Sequence, residues 1–377
     1  MIISRVHMMG EEGWKDIGIS NGMINTIVPH KAAGAEAILL PENNMAFPGL
    51  INSHDHLDFN LFPQLGNGFY KNYTAWGADI YANNSGEINE VLKIPQSLRI
   101  QWGLYKNLLN GVATVVNHGK KIKTGNEILT VFQDCYSLHS LAYEKNWKRK
   151  LNNPFLKNKP FVIHTGEGTD ETAEKEIDEL IKANLFKKKM IAVHGVAMNE
   201  LQARAFSALV WCPASNYFLF DRTATVEKLK NNTAVIFGSD STLSAGWNIW
   251  EHLRLARKQN GLTDKELLDA VTATAAGVWG MSTGAIAENK AADIVVAKKK
   301  EGLADMDNFF SLDPEDILLV ICKGSIRLFD ESLLNQLELP GFNRVALNGT
   351  VKYVQGDLPA LAQRIKHYYP GAILPFS

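Results

Sequence analysis

A series of short apolar runs in this chain ends on histidine or aspartate, and that repetition limits the folds open to it. The runs are Leu50-Ile51-Asn52-Ser53-His54-Asp55-His56, Val112-Ala113-Thr114-Val115-Val116-Asn117-His118, Phe161-Val162-Ile163-His164, Met190-Ile191-Ala192-Val193-His194 and Ala234-Val235-Ile236-Phe237-Gly238-Ser239-Asp240. A further run, Ala208-Leu209-Val210-Trp211-Cys212, stops at Pro213. Continuous apolar runs of this length suit strands buried on both faces. Between them lie stretches with helical character, at 97–110, 171–185, 199–206 and 249–258. Strands alternating with helices mean a mainly parallel sheet. A parallel barrel gathers its active site at the C-terminal ends of its strands, where these polar residues fall.

His54-Asp55-His56 carries the first chemical signal. Residues i and i+2 of a strand face the same way, so both imidazoles can converge on one ion. Neutral imidazole is a common ligand for zinc and other transition metals. An isolated pair of this kind often arises by chance; the ordered set gives it weight. His7, His30 and His367 lie in peripheral segments and read as surface residues. His139 and His252 read as helical. His118 ends a strand, where it suits either a substrate contact or a satisfied core histidine.

The bulk numbers exclude several classes. With 377 residues the chain can bury a large core, and its 46% hydrophobic and 21% charged content is that of an ordinary globular protein. A net charge of −1 gives no reason to expect nucleic acid or an anionic membrane as partner. No apolar run is long enough to span a bilayer. Three cysteines without a CxxC pair, and an N-terminal apolar stretch too short for a signal peptide, lead to the expectation of a cytoplasmic protein. A homodimer is the base-rate expectation for assembly.

Both chain ends read as β-rich. Asn21-Gly22 between two alternating runs is a strong hairpin signal. The stretch 57–95 is aromatic and weakly periodic, suiting a long loop that forms either a wall or lid of the site or a mere cover. Residues 119–160 show only one clear strand.

The motifs resemble those of the amidohydrolase superfamily, in particular its cytosine deaminase and chlorohydrolase-like branch, which includes guanine and S-adenosylhomocysteine deaminases. The resemblance rests on Pro48-Gly49-Leu50-Ile51-Asn52-Ser53-His54-Asp55-His56, Gly111 to Val116, His164-Thr165-Gly166-Glu167, His194-Gly195, Cys212-Pro213-Ala214-Ser215-Asn216, Gly238-Ser239-Asp240-Ser241 and Gly284 to Val295. It implies an α/β fold: a TIM-like (β/α)8 barrel over 47–284, a small β-sandwich from 1–46 and 285–355, and a C-terminal helix and tail over 356–377. It also implies one divalent metal on His54, His56, His164 and Asp240, with Glu167 as general acid/base and His194 polarising the bond under attack. Zinc is the first expectation for the ion; iron and manganese suit the same donors.

Such a site has a clear chemical use. A metal held by three imidazoles and a carboxylate can lower the pKa of a bound water from 15.7 to about 7. Asp240 can accept that water's proton, Glu167 can carry a proton to the leaving nitrogen, and His194 can stabilise developing charge. The expected reaction is hydrolysis of a C–N bond in a small heterocycle, first of all a deamination releasing ammonia. Opening of a cyclic amide or imidazolone ring is the alternative, and a binding relative without turnover is a third reading. Asn216 is expected to hold substrate or to be a turn residue, and Cys212 to be a small buried side chain. No strand-end lysine suggests a carbamylated bridge between two metals, so one ion is expected. Room for two βα units between 119 and 160 is tight, so an irregular or abbreviated barrel is expected there.

Overall fold

The computed structural model describes residues 1–31, 37–123, 128–156, 158–337 and 339–377. Its centre is a run of parallel strands. β1 (Leu50–Asp55), β2 (Val112–Asn117) and β3 (Thr130–Phe132) form one sheet. β4 (Tyr136–Leu138), β5 (Phe161–Thr165), β6 (Met190–His194), β7 (Ala208–Trp211) and β8 (Ala234–Phe237) form a second, paired in that order. Every assigned pair in both sheets is parallel.

The apolar runs become strands because both of their faces are covered. Phe161, Ile163, Met190, Ala192, Leu209, Trp211, Val235 and Phe237 join one apolar cluster with the helices. The alternate residues Val162, Ile191, Val193, Val210 and Ile236 join another, together with Ile51 and Val116. That period of two is the pleat of a strand with two buried faces.

The two parallel sheets meet at both edges. At one, the Asp240 N–H donates to the His54 carbonyl at 3.0 Å. Gly238 permits that approach, since a Cβ there would lie 2.6 Å from the Cβ of His54. At the other, β3 and β4 are separated only by Gln133-Asp134-Cys135. Parallel neighbours need a crossover of about a dozen residues or more. β3 and β4 are therefore two pieces of one path, the first pairing with β2 and the second with β5. The expectation of an abbreviated side over 119–160 meets, among the described residues, these two short strands, the α-helix Trp147–Leu151 and a 3-10 turn, Pro154–Leu156; 124–127 and 157 lie outside the described residues.

The stretch 57–95 is more regular than a loop. It holds helices Tyr73–Asn83 and Ser85–Leu92, preceded by a 3-10 turn, Leu57–Phe59. It is pinned over the strand ends: the Tyr73 N–H donates to the Glu167 carbonyl at 3.1 Å and the Leu65 N–H to that of Leu243 at 3.0 Å.

The chain ends supply two further sheets. Met23–Pro29, Trp14–Ser20, Ile2–His7 and Ala37–Leu39 form one in that order, with the expected turn at Asn21-Gly22, both at positive φ. Phe342–Leu347, Thr350–Gln355, Ser325–Asp330, Ile317–Cys322, Ile294–Lys298 and Asn44–Pro48 form the other. Ile3, Ile17 and Ile24 of the first share an apolar cluster with Ile294, Val296, Leu319 and Phe329 of the second. The Gly284 to Val295 stretch ties the ends together. Asp293 accepts the Lys323 N–H at 2.7 Å and the Thr283 hydroxyl at 2.8 Å, and its carbonyl accepts the Gly49 N–H.

Candidate active site

The strand ends bring the expected residues to one place. His54, His56 and His164 offer ring nitrogens within 4.8 Å of one another, as do His54 and His194 with a carboxylate oxygen of Asp240. The Nε2 atoms of His54 and His164 are 3.1 Å apart, and those of His54 and His56 lie 3.7 and 3.9 Å from Asp240 Oδ1. Two nitrogens each 2.0–2.1 Å from a tetrahedral zinc would be about 3.3 Å apart. The cluster therefore has the spacing of ligands around one ion. Burial first, and the neighbouring imidazoles second, push the pKa values of His54 and His164 well below the usual histidine range. Neutral rings with free lone pairs are the form that binds a metal.

Asp240 and Glu167 are pushed apart by their surroundings. Burial alone would raise the Asp240 pKa, but His194, His56 and bonds from the Ser241 N–H and Ser215 hydroxyl outweigh it. Ser215 and Ser244 each donate to Asp240 Oδ2 at 2.9 Å. Glu167 has no such support. Burial, then Asp240 and Glu176, raise its carboxyl well above the usual range. The surroundings thus favour the anion at Asp240 and the acid form at Glu167, the division that marks acid and base roles.

His194 lies between them, with Nε2 3.7 Å from Glu167 Oε1 and 3.9 Å from Asp240 Oδ2. Strand alternation would turn it away, because Ile191 and Val193 occupy the inner positions of β6. A left-handed backbone at His194, φ 71°, reverses that sense, and Asp240 at φ 58° is bent likewise. Such non-glycine conformations cost about 1–3 kcal/mol and cluster at functional sites. Asn216 is fully buried and faces His194. With the ring proton on Nδ1, His194 donates to Asn216 Oδ1 at 2.8 Å, and Asn216 Nδ2 donates to Thr223 at 3.1 Å. His118 stacks on His164 with ring centres 4.4 Å apart and its Nε2 2.9 Å from the Leu138 carbonyl; its Nδ1 has no hydrogen-bond partner among the described residues. Cys212 is buried, and burial raises its thiol pKa well above the usual range.

His139 departs from the helical expectation. It follows β4, its carbonyl accepts the His164 N–H at 3.0 Å, and its ring centre is 5.0 Å from that of His164. Burial, then His56, lowers its pKa to about 4. The signal was present as Tyr136-Ser137-Leu138-His139, another strand ending on histidine, but β4 is too short to stand out. Of the serines holding Asp240, Ser215 lies in the Cys212 to Asn216 motif with no sign of that role, and Ser244 lies in none of the motifs.

These features define a class. The sequence pattern of the amidohydrolase family matches residues 155–327 of the chain. Among individual proteins, it is 25% identical over 386 residues to a 5-methylthioadenosine/S-adenosylhomocysteine deaminase of Caldicellulosiruptor saccharolyticus, covering 85% of this chain and 90% of that one. With the corresponding enzyme of Pyrococcus abyssi it shares 28% identity over 204 residues, so the match spans about half of each protein, 47% of this chain and 48% of that relative. The solved adenosine deaminase of Xanthomonas campestris, with bound zinc, shares the fold at a TM-score of 0.73 and 16% identity, covering 98% of this chain and 97% of that one. The family match and the cluster together support a bound metal.

Proposed function

We infer that this protein is a metal-dependent aminohydrolase, attacking a C–N bond of a heterocycle and releasing ammonia. The observation that carries the reading is the cluster of His54, His56, His164 and Asp240, with the buried Glu167 carboxyl 3.7 Å from His194 beside it. Those four residues would hold the ion, zinc first. A bound ion supplies a Lewis acid that makes water nucleophilic near neutral pH. Asp240, an anion, accepts the proton of the attacking water. Glu167, a neutral acid, gives its proton to a ring nitrogen; the proton held by Asp240 passes to the leaving amine, and Glu167 regains its own from the new hydroxyl as the product carbonyl forms. His194, oriented by Asn216, stabilises charge where the amine is attached. His118 and His139 line the same end and are placed to meet the ring.

The parallel strands are read as one barrel closed through Asp240 and His54 at one seam and the β3–β4 path at the other. The division follows as a barrel over 47–284, a β-sandwich from 1–46 and 285–355, and the segment 356–377 beside it. Among the described residues no helix is long and apolar enough to cross a membrane. The reported deaminases act, by name, on adenosine-type nucleosides, so amino-purine nucleosides come first among substrates.

The test is metal content per chain on protein purified without chelator, followed by ammonia release from amino-purines, pyrimidines and pterins. About one ion per chain and ammonia from a member of the panel is the expected result. No ion after reconstitution would sink the reading, and product formation without ammonia would favour ring opening.

A further inference from the structure

Behind the metal-binding face lies a buried cation that the reaction does not use. Lys106, in helix Gln96–Leu109, is 2% exposed. Its Nζ donates to Asn60 Oδ1 at 2.8 Å, to Asp55 Oδ2 at 3.1 Å and to the Asp240 carbonyl at 3.1 Å, with Ser239 Oγ at 3.3 Å. Asp55 is fully buried. It also accepts from Asn107 Nδ2 at 2.7 Å and from Asn60 Nδ2 at 2.9 Å.

The placement follows from the pleat. Asp55 sits between His54 and His56, and the middle residue of such a triplet points opposite its neighbours. The backbone that carries two imidazoles to one side thus carries a carboxylate to the other, where Lys106 meets it. The same ammonium holds the carbonyl of Asp240, whose left-handed backbone persists only if its surroundings enforce it. Stability alone gives little reason for the pair. A buried ion pair is often no more stabilising than apolar residues of its size.

We propose that Lys106 is a positioning residue of the metal centre, locking the His54-Asp55-His56 strand to Asp240 so that their donor atoms meet at one ion. This rests on the metal-site reading above. Neither Lys106 nor Asp55 lies within the 155–327 stretch matched by the family pattern.

The experiment uses Co²⁺ as the probe, because its visible absorption reports ligand number and geometry independently of turnover. Wild-type protein, Lys106→Met and the charge-free Lys106→Met/Asp55→Asn double variant are loaded with Co²⁺. Affinity is measured by chelator competition and folding by circular dichroism. The double variant is expected to fold, to bind Co²⁺ about 10- to 100-fold more weakly, and to show an altered visible spectrum. Lys106→Arg is expected to recover part of the affinity. If Lys106→Met fails to fold, the double variant decides. A double variant that folds with wild-type affinity and spectrum overturns the proposal. One that cannot fold also overturns it, making the pair a folding requirement. Wild-type protein that takes up no Co²⁺ locates the failure in the metal reading itself.

Discussion

Replacing Glu167 by Gln separates chemistry from folding, because the two effects run in opposite directions. The amide keeps the shape of the carboxyl and cannot carry a proton. General acid/base groups contribute about 10²- to 10⁴-fold. A loss of that size corresponds to about 3–5 kcal/mol of barrier. Among the described residues no lysine or arginine pairs with Glu167; His194 Nε2 lies 3.7 Å from its Oε1, and the charges acting on it are those of Asp240 and Glu176. The substitution therefore breaks no ion pair with a lysine or arginine. Stability follows from the raised carboxyl pKa. Above the unfolded value near 4.3, the unfolded chain releases this proton while the native state keeps it. The native state is thereby disfavoured as pH rises toward its own pKa. Gln removes that handicap. Metal-free E167Q should equal or exceed wild type in unfolding free energy above about pH 5, by a margin that grows with pH until the raised native pKa is reached. The assays are ammonia release for kcat and urea unfolding across pH. Wild-type turnover in E167Q, or a variant that loses stability relative to wild type as pH rises, would refute the reasoning.

Other perturbations probe the surrounding structure. Ala at Gly103 would drive a Cβ into the Leu57 carbonyl, one residue past His56, and should cost about 1–3 kcal/mol, read as a fall in Tm of several degrees. Asn216→Ala frees the His194 ring and should lower kcat by about 10- to 100-fold with a smaller change in KM. Burial, then their charged neighbours, holds His139 near pKa 4 and His252 near 3, so the unfolded chain takes up protons first as pH falls below about 6.5. Metal-free protein should therefore lose stability steadily between about pH 6.5 and about pH 4, measured by urea unfolding. Lys352→Met removes the cation 2.7 Å from the buried Asp330 carboxylate and leaves it only Lys298, 3.8 Å away; it should cost about 3 kcal/mol in thermal unfolding.

Local periodicity made much of this protein legible. Continuous apolar runs identified the parallel strands, because burial on both faces demands such runs over few residues. Their terminal residues, His54, His56, His164, His194 and Asp240, followed as a set, since strand ends are where side chains can converge. The hairpin at Asn21-Gly22 was legible because only certain residues adopt that backbone. What could not be read depended on long-range geometry. β3 and β4 are each too short to impose a period, so His139 was hidden. The inward aim of His194 depends on a left-handed φ that alternation contradicts. The partnership of Lys106 with Asp55 and Asp240 joins segments far apart in the chain. No local pattern encodes such a contact, because it exists only once the helix has packed behind the strand ends.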